Sequence, residues 1–199
     1  MKPGNQIELR TISHMILFVR VTDTDVTYLV DNGMGNNSPV HPVPLQEGVV
    51  CRGAIASEGH RVVRMSHPDA SPGFDYQPGW ALQMMLPGQD AGWTTLYQFD
   101  MQQYYHQDME ALALLVEKSG KAFVARHLFA VSFEEVEGGD LAKNILFGKQ
   151  VRRDTSDGER VLREFTSEND RISAFREIFG VHLKDDAASY VRPEIKMTF

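Results

Sequence analysis

The sequence contains very little cysteine. Cys51 is the single cysteine among 199 residues. A lone cysteine excludes an internal disulfide and a metal site built from several thiolates. The residues on either side of it, 49–50 and 53–55, are small or apolar and are typical of a buried strand. We therefore expect an inert, partly buried thiol rather than a nucleophile.

The sequence also lacks long apolar runs. The longest covers residues 15–19, whereas a membrane-spanning helix needs about 20 residues. Residues 1–5 show neither the apolar core nor the small-residue cleavage site of a secretory signal. Together with the scarcity of cysteine, these features predict an intracellular, cytoplasmic protein.

Positive charge is in deficit, with 20 Lys and Arg against 27 Asp and Glu, a net charge of −7. Phosphate backbones repel such a chain unless its basic residues cluster. One stretch, 143–163, is rich in basic residues, but acidic residues are interleaved with them and favour a mixed, solvated face. A nucleic-acid-associated subunit is retained as the second alternative, with four candidate residues: Arg152, Arg153, Arg160 and Arg163.

Familiar catalytic motifs are missing as well. The sequence has no G-x-S-x-G, no H-E-x-x-H and no Walker loop. The pair Gly33 and Gly35 lacks the third glycine of a dinucleotide fingerprint. These absences favour a protein that binds rather than catalyses.

Two periodicities that are present define the fold class. Apolar residues recur at three- and four-residue spacing over 101–118, which predicts a long helix capped by Asp100 and ended at Gly120. The period then changes to two over 121–134, which predicts a long strand near the middle of the core. We therefore predict an α+β fold with one long helix packed on a central strand.

The first half of the chain shows strand patterns separated by turn residues. Hairpins are predicted over 12–30, over 49–66 and over 80–99. Residues 32–48 are rich in Gly, Asn and Pro and predict a long irregular loop. The N-terminal half, 1–99, is thus expected to be antiparallel and β-rich.

The second half is expected to be smaller and helical. Residues 141–147 predict a short helix capped by Asp140, residues 151–165 a small hairpin, and Ser167 the start of a helix that ends at Gly180. The last segment, 184–199, is expected to be an extended tail. No repeat or linker divides the sequence, so we predict a single domain over 1–199, with 100–183 forming its helix–strand–helix part.

One set of residues has the types and order of a metal site. His67 and Asp69 form an H-x-D segment, and His127 lies 58 residues beyond Asp69 on a predicted strand. This order resembles that of the iron- and 2-oxoglutarate-dependent oxygenases, and the resemblance implies a non-haem iron held by two histidines and one carboxylate. The sequence departs from the family's pattern because 128–141 contains no arginine for the co-substrate. A turn and a strand histidine are the competing interpretation.

Five aromatic residues lie close together in the sequence: Trp80, Trp93, Tyr97, Tyr104 and Tyr105. Tryptophan and tyrosine provide large contact areas at low entropic cost and are enriched where proteins bind partners. These residues are candidates for a binding surface, although the core and rim of a sandwich would use them equally well.

The sequence taken alone therefore favours a non-enzymatic binding or assembly protein, such as a complex subunit. Its partner would be another protein or a second copy, contacted through the 32–48 loop, the aromatic set or the tail. A metal-dependent enzyme using His67, Asp69 and His127 is the first alternative. The sequence identifies no cofactor.

Overall fold

The computed structural model describes residues 14–67, 79–85, 92–119, 127–184 and 186–195. Within these residues the chain forms eleven β-strands, two α-helices and short 3₁₀ turns. The strands build three antiparallel sheets, so the predicted β-rich α+β class is confirmed. The chain divides into two compact units, Met1–Ala113 and Leu114–Phe199.

The first unit holds two of the sheets. A three-stranded sheet has the order β1-β2-β3 and a four-stranded sheet the order β4-β5-β6-β7. The predicted hairpins over 12–30, 49–66 and 80–99 correspond to strand pairs in these sheets. The strand bounds are β1 Leu17–Val21, β2 Val26–Val30, β3 Val43–Pro44, β4 Cys51–Arg52, β5 Gly59–Met65, β6 Gly79–Met85 and β7 Trp93–Phe99.

Alternate side chains of these strands form the core of the first unit. Leu29, Val43, Val62, Trp80 and Leu82 make one buried cluster. Because successive side chains of a strand point to opposite faces, the residues between them face away from this cluster. Burying these side chains removes apolar surface from water and holds the two sheets of the unit together.

The second unit is built on one four-stranded sheet with the order β11-β10-β9-β8. Its helix α2, Glu168–Glu177, begins as predicted, because the Ser167 hydroxyl accepts a hydrogen bond from the Asp170 amide. Ala174 and Phe175 of α2 pack in one cluster with buried residues of the sheet. The strand bounds are β8 Phe129–Glu135, β9 Leu141–Phe147, β10 Gln150–Thr155 and β11 Gly158–Glu164.

The long helix exists, but it begins later than predicted. Helix α1 covers His106–Ser119. The carboxylate of Asp108 accepts a hydrogen bond from the Tyr105 amide, and Asp100 instead binds the Gln102 amide within the preceding loop. The predicted packing of this helix on a central strand is not confirmed. The strand that follows it, β8, lies at the edge of its sheet, and residues 121–126 are outside the described residues.

The predicted helix over 141–147 is wrong, because this segment is strand β9. It pairs with β8 on one side and β10 on the other, and five of its seven residues are buried. The apolar residues Leu141, Ile145 and Leu146 have the spacing of one helical face, because two polar residues stand between them. The strand buries these polar residues too, Lys143 and Asn144, which periodicity does not anticipate. Gly148, expected to end a helix, has φ of +60° in the tight turn to β10.

The C-terminal segment is only partly as predicted. Instead of an extended tail, the described part contains 3₁₀ turns at Ala187–Tyr190 and Pro193–Ile195. The predicted single domain remains a prediction. Among the helices of the described ranges, none combines the length and the apolar character needed to cross a membrane.

Candidate active site

The β1–β2 hairpin brings two polar residues together at its open end. Its register pairs Leu17 with Val30. Continuing that register by three residues on each strand places His14 opposite Gly33, with Asp31 two residues before it. The hairpin therefore sets an imidazole beside a carboxylate through local strand pairing.

His14 and Asp31 are in direct contact. The His14 Nε2 atom lies 2.8 Å from the Asp31 Oδ2 atom. The Asp31 side chain is 2% exposed, whereas 29% of the His14 side chain is exposed. A buried carboxylate thus holds an imidazole that is partly exposed.

Asp31 accepts hydrogen bonds from three donors. Its Oδ1 atom is 2.8 Å from the Gly33 amide, and its Oδ2 atom is 2.8 Å from both His14 Nε2 and the Tyr97 hydroxyl. Burial alone would raise the pKa of the Asp31 carboxyl, but the hydrogen bonds from His14, Gly33 and Tyr97 outweigh it, and the pKa lies below its ordinary value. Asp31 is therefore a charged acceptor at neutral pH.

Tyr97 supports this carboxylate from β7, 66 residues along the chain. Burial, the Asp31 charge and the hydrogen bond to Asp31 raise the pKa of the Tyr97 hydroxyl well above its ordinary value. Tyr97 consequently stays neutral and donates its proton to Asp31. Its ring also packs against the imidazole of His14, with 5.3 Å between the centroids.

The contact with Asp31 determines which nitrogen of His14 is available for chemistry. An ionised carboxylate can only accept, so Nε2 carries a proton and donates it to Asp31. In the neutral ring, Nδ1 then holds the lone pair. A carboxylate that fixes the tautomer and stabilises the imidazolium is the arrangement by which enzymes prepare a histidine as a general base.

Cys51 does not join this pair. Its Sγ atom lies 3.7 Å from the Pro42 carbonyl oxygen, and the side chain packs against the core cluster of the first unit. Burial raises the pKa of the Cys51 thiol, which lowers its thiolate fraction. Among the described residues, its polar contacts do not include His14. The structure agrees with the expectation of a partly buried thiol.

The predicted metal residues remain a prediction. His67 is exposed just after β5, and the His127 ring lies 5.2 Å from the Phe147 ring. Asp69 lies outside the described residues. Within the described ranges, no group of three or more His, Cys, Asp or Glu side chains could hold a metal ion.

The five aromatic candidates have different surroundings. Trp80 stacks on Arg64 and Trp93 on Arg61, with 3.8 and 4.0 Å from the guanidinium carbon to the ring centroid. Tyr97 contacts the His14–Asp31 pair. Tyr104 and Tyr105 precede α1, and Tyr105 is exposed. Their role in binding remains a prediction.

Sequence reasoning missed both His14 and Asp31. His14 stands at the start of a strand pattern and Asp31 at the end of its partner, positions that look like ordinary strand termini. One signal was available: the hairpin predicted over 12–30 turns at 22–25, which fixes its register, and the register places residue 14 across from residue 33. The contribution of Tyr97 had no such local signal.

Comparison with known proteins identifies the family of this chain. A family model described as N-acetyltransferase matches residues 1–188. An N-malonyltransferase of Fusarium pseudograminearum is 29% identical over 181 residues, covering 87% of this chain and 52% of that protein. An N-malonyltransferase of Gibberella moniliformis is 27% identical over 197 residues, covering 93% and 54%. The chain spans about half the length of the curated relatives it matches.

Solved structures show the same fold. An arylamine N-acetyltransferase of Mycobacterium marinum superposes with a TM-score of 0.70 at 21% identity, covering 96% of this chain and 62% of that one. An N-arylamine acetyltransferase of Mycobacterium smegmatis gives a TM-score of 0.73 at 24% identity, covering 97% and 63%. At this level of identity, the likeness shows the fold alone.

These findings overturn the functional prediction made from the sequence. A non-enzymatic binding protein or complex subunit is wrong, because the match along the chain is to a family of enzymes. The two alternatives, an iron-dependent enzyme and a nucleic-acid-associated subunit, are not supported by that match. The predicted partner, another protein or a second copy, is also wrong, because the family that matches the chain is one of enzymes. By the match over residues 1–188, the chain belongs to the N-acetyltransferase family.

Proposed function

We propose that this chain carries the acid–base centre of an N-acyltransferase, with His14 as the base and Asp31 as the group that orients it. The observation that carries the proposal is the 2.8 Å contact between His14 Nε2 and the buried Asp31 carboxylate. The family match supports the type of reaction, and the geometry supports the role of each residue.

The reaction moves an acyl group from a thioester, such as acyl-coenzyme A, to the nitrogen of an amine. The nitrogen–carbon bond forms, the carbon–sulfur bond breaks, and the amine loses a proton. His14 Nδ1 accepts a proton from the attacking nucleophile and then protonates the departing thiolate of the donor, so the base is regenerated. The products are an amide and a free thiol.

Asp31 makes this proton transfer favourable in two ways. It holds Nε2 and so leaves Nδ1 as the nitrogen that accepts the proton. When Nδ1 gains a proton, the nearby negative charge stabilises the imidazolium, and burial strengthens that attraction. Tyr97 and the Gly33 amide keep the carboxylate in place.

The acyl group is proposed to be acetyl or malonyl. The family model is described as N-acetyltransferase, whereas the curated relatives at 27–29% identity are N-malonyltransferases. The acceptor is proposed to be an arylamine, the substrate class in the names of the structurally similar enzymes. Both points are tested by substrate comparison.

The test incubates the purified 199-residue chain with acetyl-CoA or malonyl-CoA and aniline. Release of free thiol is followed with a thiol reagent, and the N-acyl product is identified by mass spectrometry. We expect product with the wild-type chain and its loss in both His14→Ala and Asp31→Asn. Lys184→Ala, which changes an exposed cation of the second unit, is the matched control and should keep full activity.

Two results would contradict the proposal. The first is that the wild-type chain forms no N-acyl product with either donor. The second is that His14→Ala forms product at the wild-type rate, because the base would then lie elsewhere. Cys51→Ala is expected to retain activity, since its thiol is partly buried and its pKa is raised.

A further inference from the structure

Gly33 lies against the imidazole of His14 more closely than any side-chain-bearing residue could. A Cβ atom built on Gly33 would be 2.8 Å from His14 Cε1 and 3.3 Å from Asp31 Oδ1. Non-bonded carbon atoms approach favourably only to about 3.5–4.0 Å. The space occupied by the ring of His14 therefore exists because residue 33 has no Cβ.

The need for glycine at this position is steric rather than conformational. Gly35, two residues on, has φ of +64°, which favours glycine for its backbone. Gly33 is not among the glycines with positive φ. Its backbone conformation is compatible with alanine, so only a clash with the side chains of His14 and Asp31 excludes a Cβ atom here.

Those neighbours have little freedom to move aside. The Gly33 amide is bound to Asp31 Oδ1, and Asp31 Oδ2 holds both His14 and Tyr97. The ring of Tyr97 packs against the ring of His14. A methyl group at position 33 would consequently displace the imidazole from the carboxylate or break the bond between Gly33 and Asp31.

The same methyl group would stand close to the proposed basic nitrogen. The Cβ position on Gly33 is 3.7 Å from His14 Nδ1, which is van der Waals contact. A side chain there would tilt the ring and crowd the lone pair that receives the proton.

We propose that Gly33 is a positioning residue, whose missing side chain and amide hydrogen bond together set the orientation of the His14 imidazole for proton transfer. The inference rests on the proposed function of His14 as a base. It assigns to Gly33 a role in the reaction beyond that of a turn residue.

The test compares Gly33→Ala with Asn32→Ala, a matched control at the neighbouring exposed position. In the acyl-transfer assay we expect kcat/KM to fall about 100-fold in Gly33→Ala, the loss typical of a catalytic group misplaced by about 1 Å. Asn32→Ala should be unchanged. The second readout is the NMR signal of the His14 Nε2 proton, which reports the hydrogen bond to Asp31. A loss of overall stability would not shift this signal in the folded protein. This signal should shift or disappear in Gly33→Ala.

A double-mutant cycle of Gly33→Ala and His14→Ala, followed by Tm, tests whether the cost of a methyl group at position 33 comes from its clash with the His14 ring. Gly33→Ala is expected to lower Tm by about 5 °C in the wild-type background, as overpacking does. In a His14→Ala background the ring is absent, so the same substitution should cost little. Equal costs in the two backgrounds would overturn the proposal, as would an unchanged Nε2 proton signal in Gly33→Ala.

The readouts separate this inference from the proposed function. If the wild-type chain forms no product, the acyl-transfer proposal fails, while the NMR signal and the double-mutant cycle still decide whether Gly33 positions His14. If the wild-type chain is active and Gly33→Ala is equally active, the role of Gly33 is wrong and the proposed function stands.

Discussion

Each unit of this protein contains an aspartate carboxylate that is held by a hydrogen-bonded side chain, but the partner differs between the two units. In the first unit Asp31 holds the imidazole of His14, and in the second unit Asp170 holds the guanidinium of Arg163. The pKa of each carboxyl lies below its ordinary value. An arginine stays protonated under all ordinary conditions, whereas a histidine gains and loses its proton near neutral pH. The first pair can exchange a proton with a ligand, and the second can only hold structure together.

The second unit repeats the arginine arrangement several times. Arg163 bridges Asp170 and Glu177 on α2, Arg153 contacts Glu134 on β8, and the buried Arg171 pairs with Glu168. Such pairs fix elements to one another, and their arginines do not give up a proton under ordinary conditions. The identity of the cation, rather than the presence of an acid, therefore distinguishes the proposed base from the structural ion pairs.

The largest expected effect separates the two pairs by activity. We expect His14→Ala to reduce kcat/KM at least 1,000-fold, which corresponds to about 4 kcal/mol of transition-state stabilisation. Arg163→Ala should change the rate far less, because the ion pairs of Arg163 take no part in the proposed proton transfer. Rates of thiol release with acyl-CoA and aniline measure both variants, and equal losses would remove the functional distinction between the units.

The next effect concerns stability in the second unit. The Arg171 side chain is 2% exposed, and it bonds Glu168 and the Ile195 carbonyl oxygen. Arg171→Ala removes a buried cation and leaves the carboxylate of Glu168 without this ion-pair partner. We therefore expect a loss of about 3 kcal/mol in the free energy of unfolding. Urea titration followed by circular dichroism measures it.

Arg171→Met sharpens this result. Methionine replaces the charge with a flexible apolar chain of similar length, so its cost should be smaller than that of alanine. A loss below about 1 kcal/mol for Arg171→Ala would show that the pair contributes little.

The pH dependence of stability distinguishes the buried Asp31 from two carboxylates that are more accessible to water, the partly buried Asp170 and the exposed Glu134. Asp31, Glu134 and Asp170 all have a lowered pKa in the folded chain. Their stabilisation is therefore complete above the unfolded pKa of about 4 and is lost as pH falls through the folded values. High salt should weaken the contributions of Glu134 and Asp170, since the screening length shrinks to about 3 Å at 1 M, while the contribution of the more deeply buried Asp31 persists.

The variant Asp31→Asn provides the check. In 1 M salt, its unfolding free energy between pH 6 and pH 2 should change less steeply than that of the wild-type chain. Identical slopes would mean that Asp31 has the same pKa in the folded and unfolded states.

The smallest effect is expected at the β1–β2 turn. Arg20 and Asp25 form an ion pair, but their side chains are 67% and 78% exposed. Water and salt screen such a pair, so Arg20→Ala should change the unfolding free energy by less than about 0.5 kcal/mol. A much larger change in urea titrations would show that exposure is a poor guide to the value of these pairs.

Local patterns predicted much of the fold. The hairpin at 12–30, the hairpin around Asp157 and the α2 helix with its Ser167 cap appear in the structure as expected. Each depends on residues close in sequence, where turn chemistry and capping act directly. The segment 141–147 was mistaken because its character as a strand depends on two neighbours that cover it, β8 and β10.

The candidate site was harder to predict for the same reason. Tyr97 was selected for its aromatic ring, but its importance here comes from a hydroxyl that meets Asp31 from another sheet. The close approach of Gly33 to His14 likewise becomes visible only in three dimensions. Residue type alone gave more weight to the H-x-D segment at His67 than to the pair that the structure brings together.

By itself, the sequence determined the α+β class, most of the hairpins and the helix that follows Ser167, because hydrophobic period, turn residues and caps act over a few residues. Tertiary structure alone decided that His14, Asp31, Gly33 and Tyr97 share one site. A carboxylate becomes a fixed, charged partner for an imidazole only when burial removes water and distant donors replace it. No single segment provides this environment, because the donors to Asp31 come from residues 14, 33 and 97 and meet only in the folded chain.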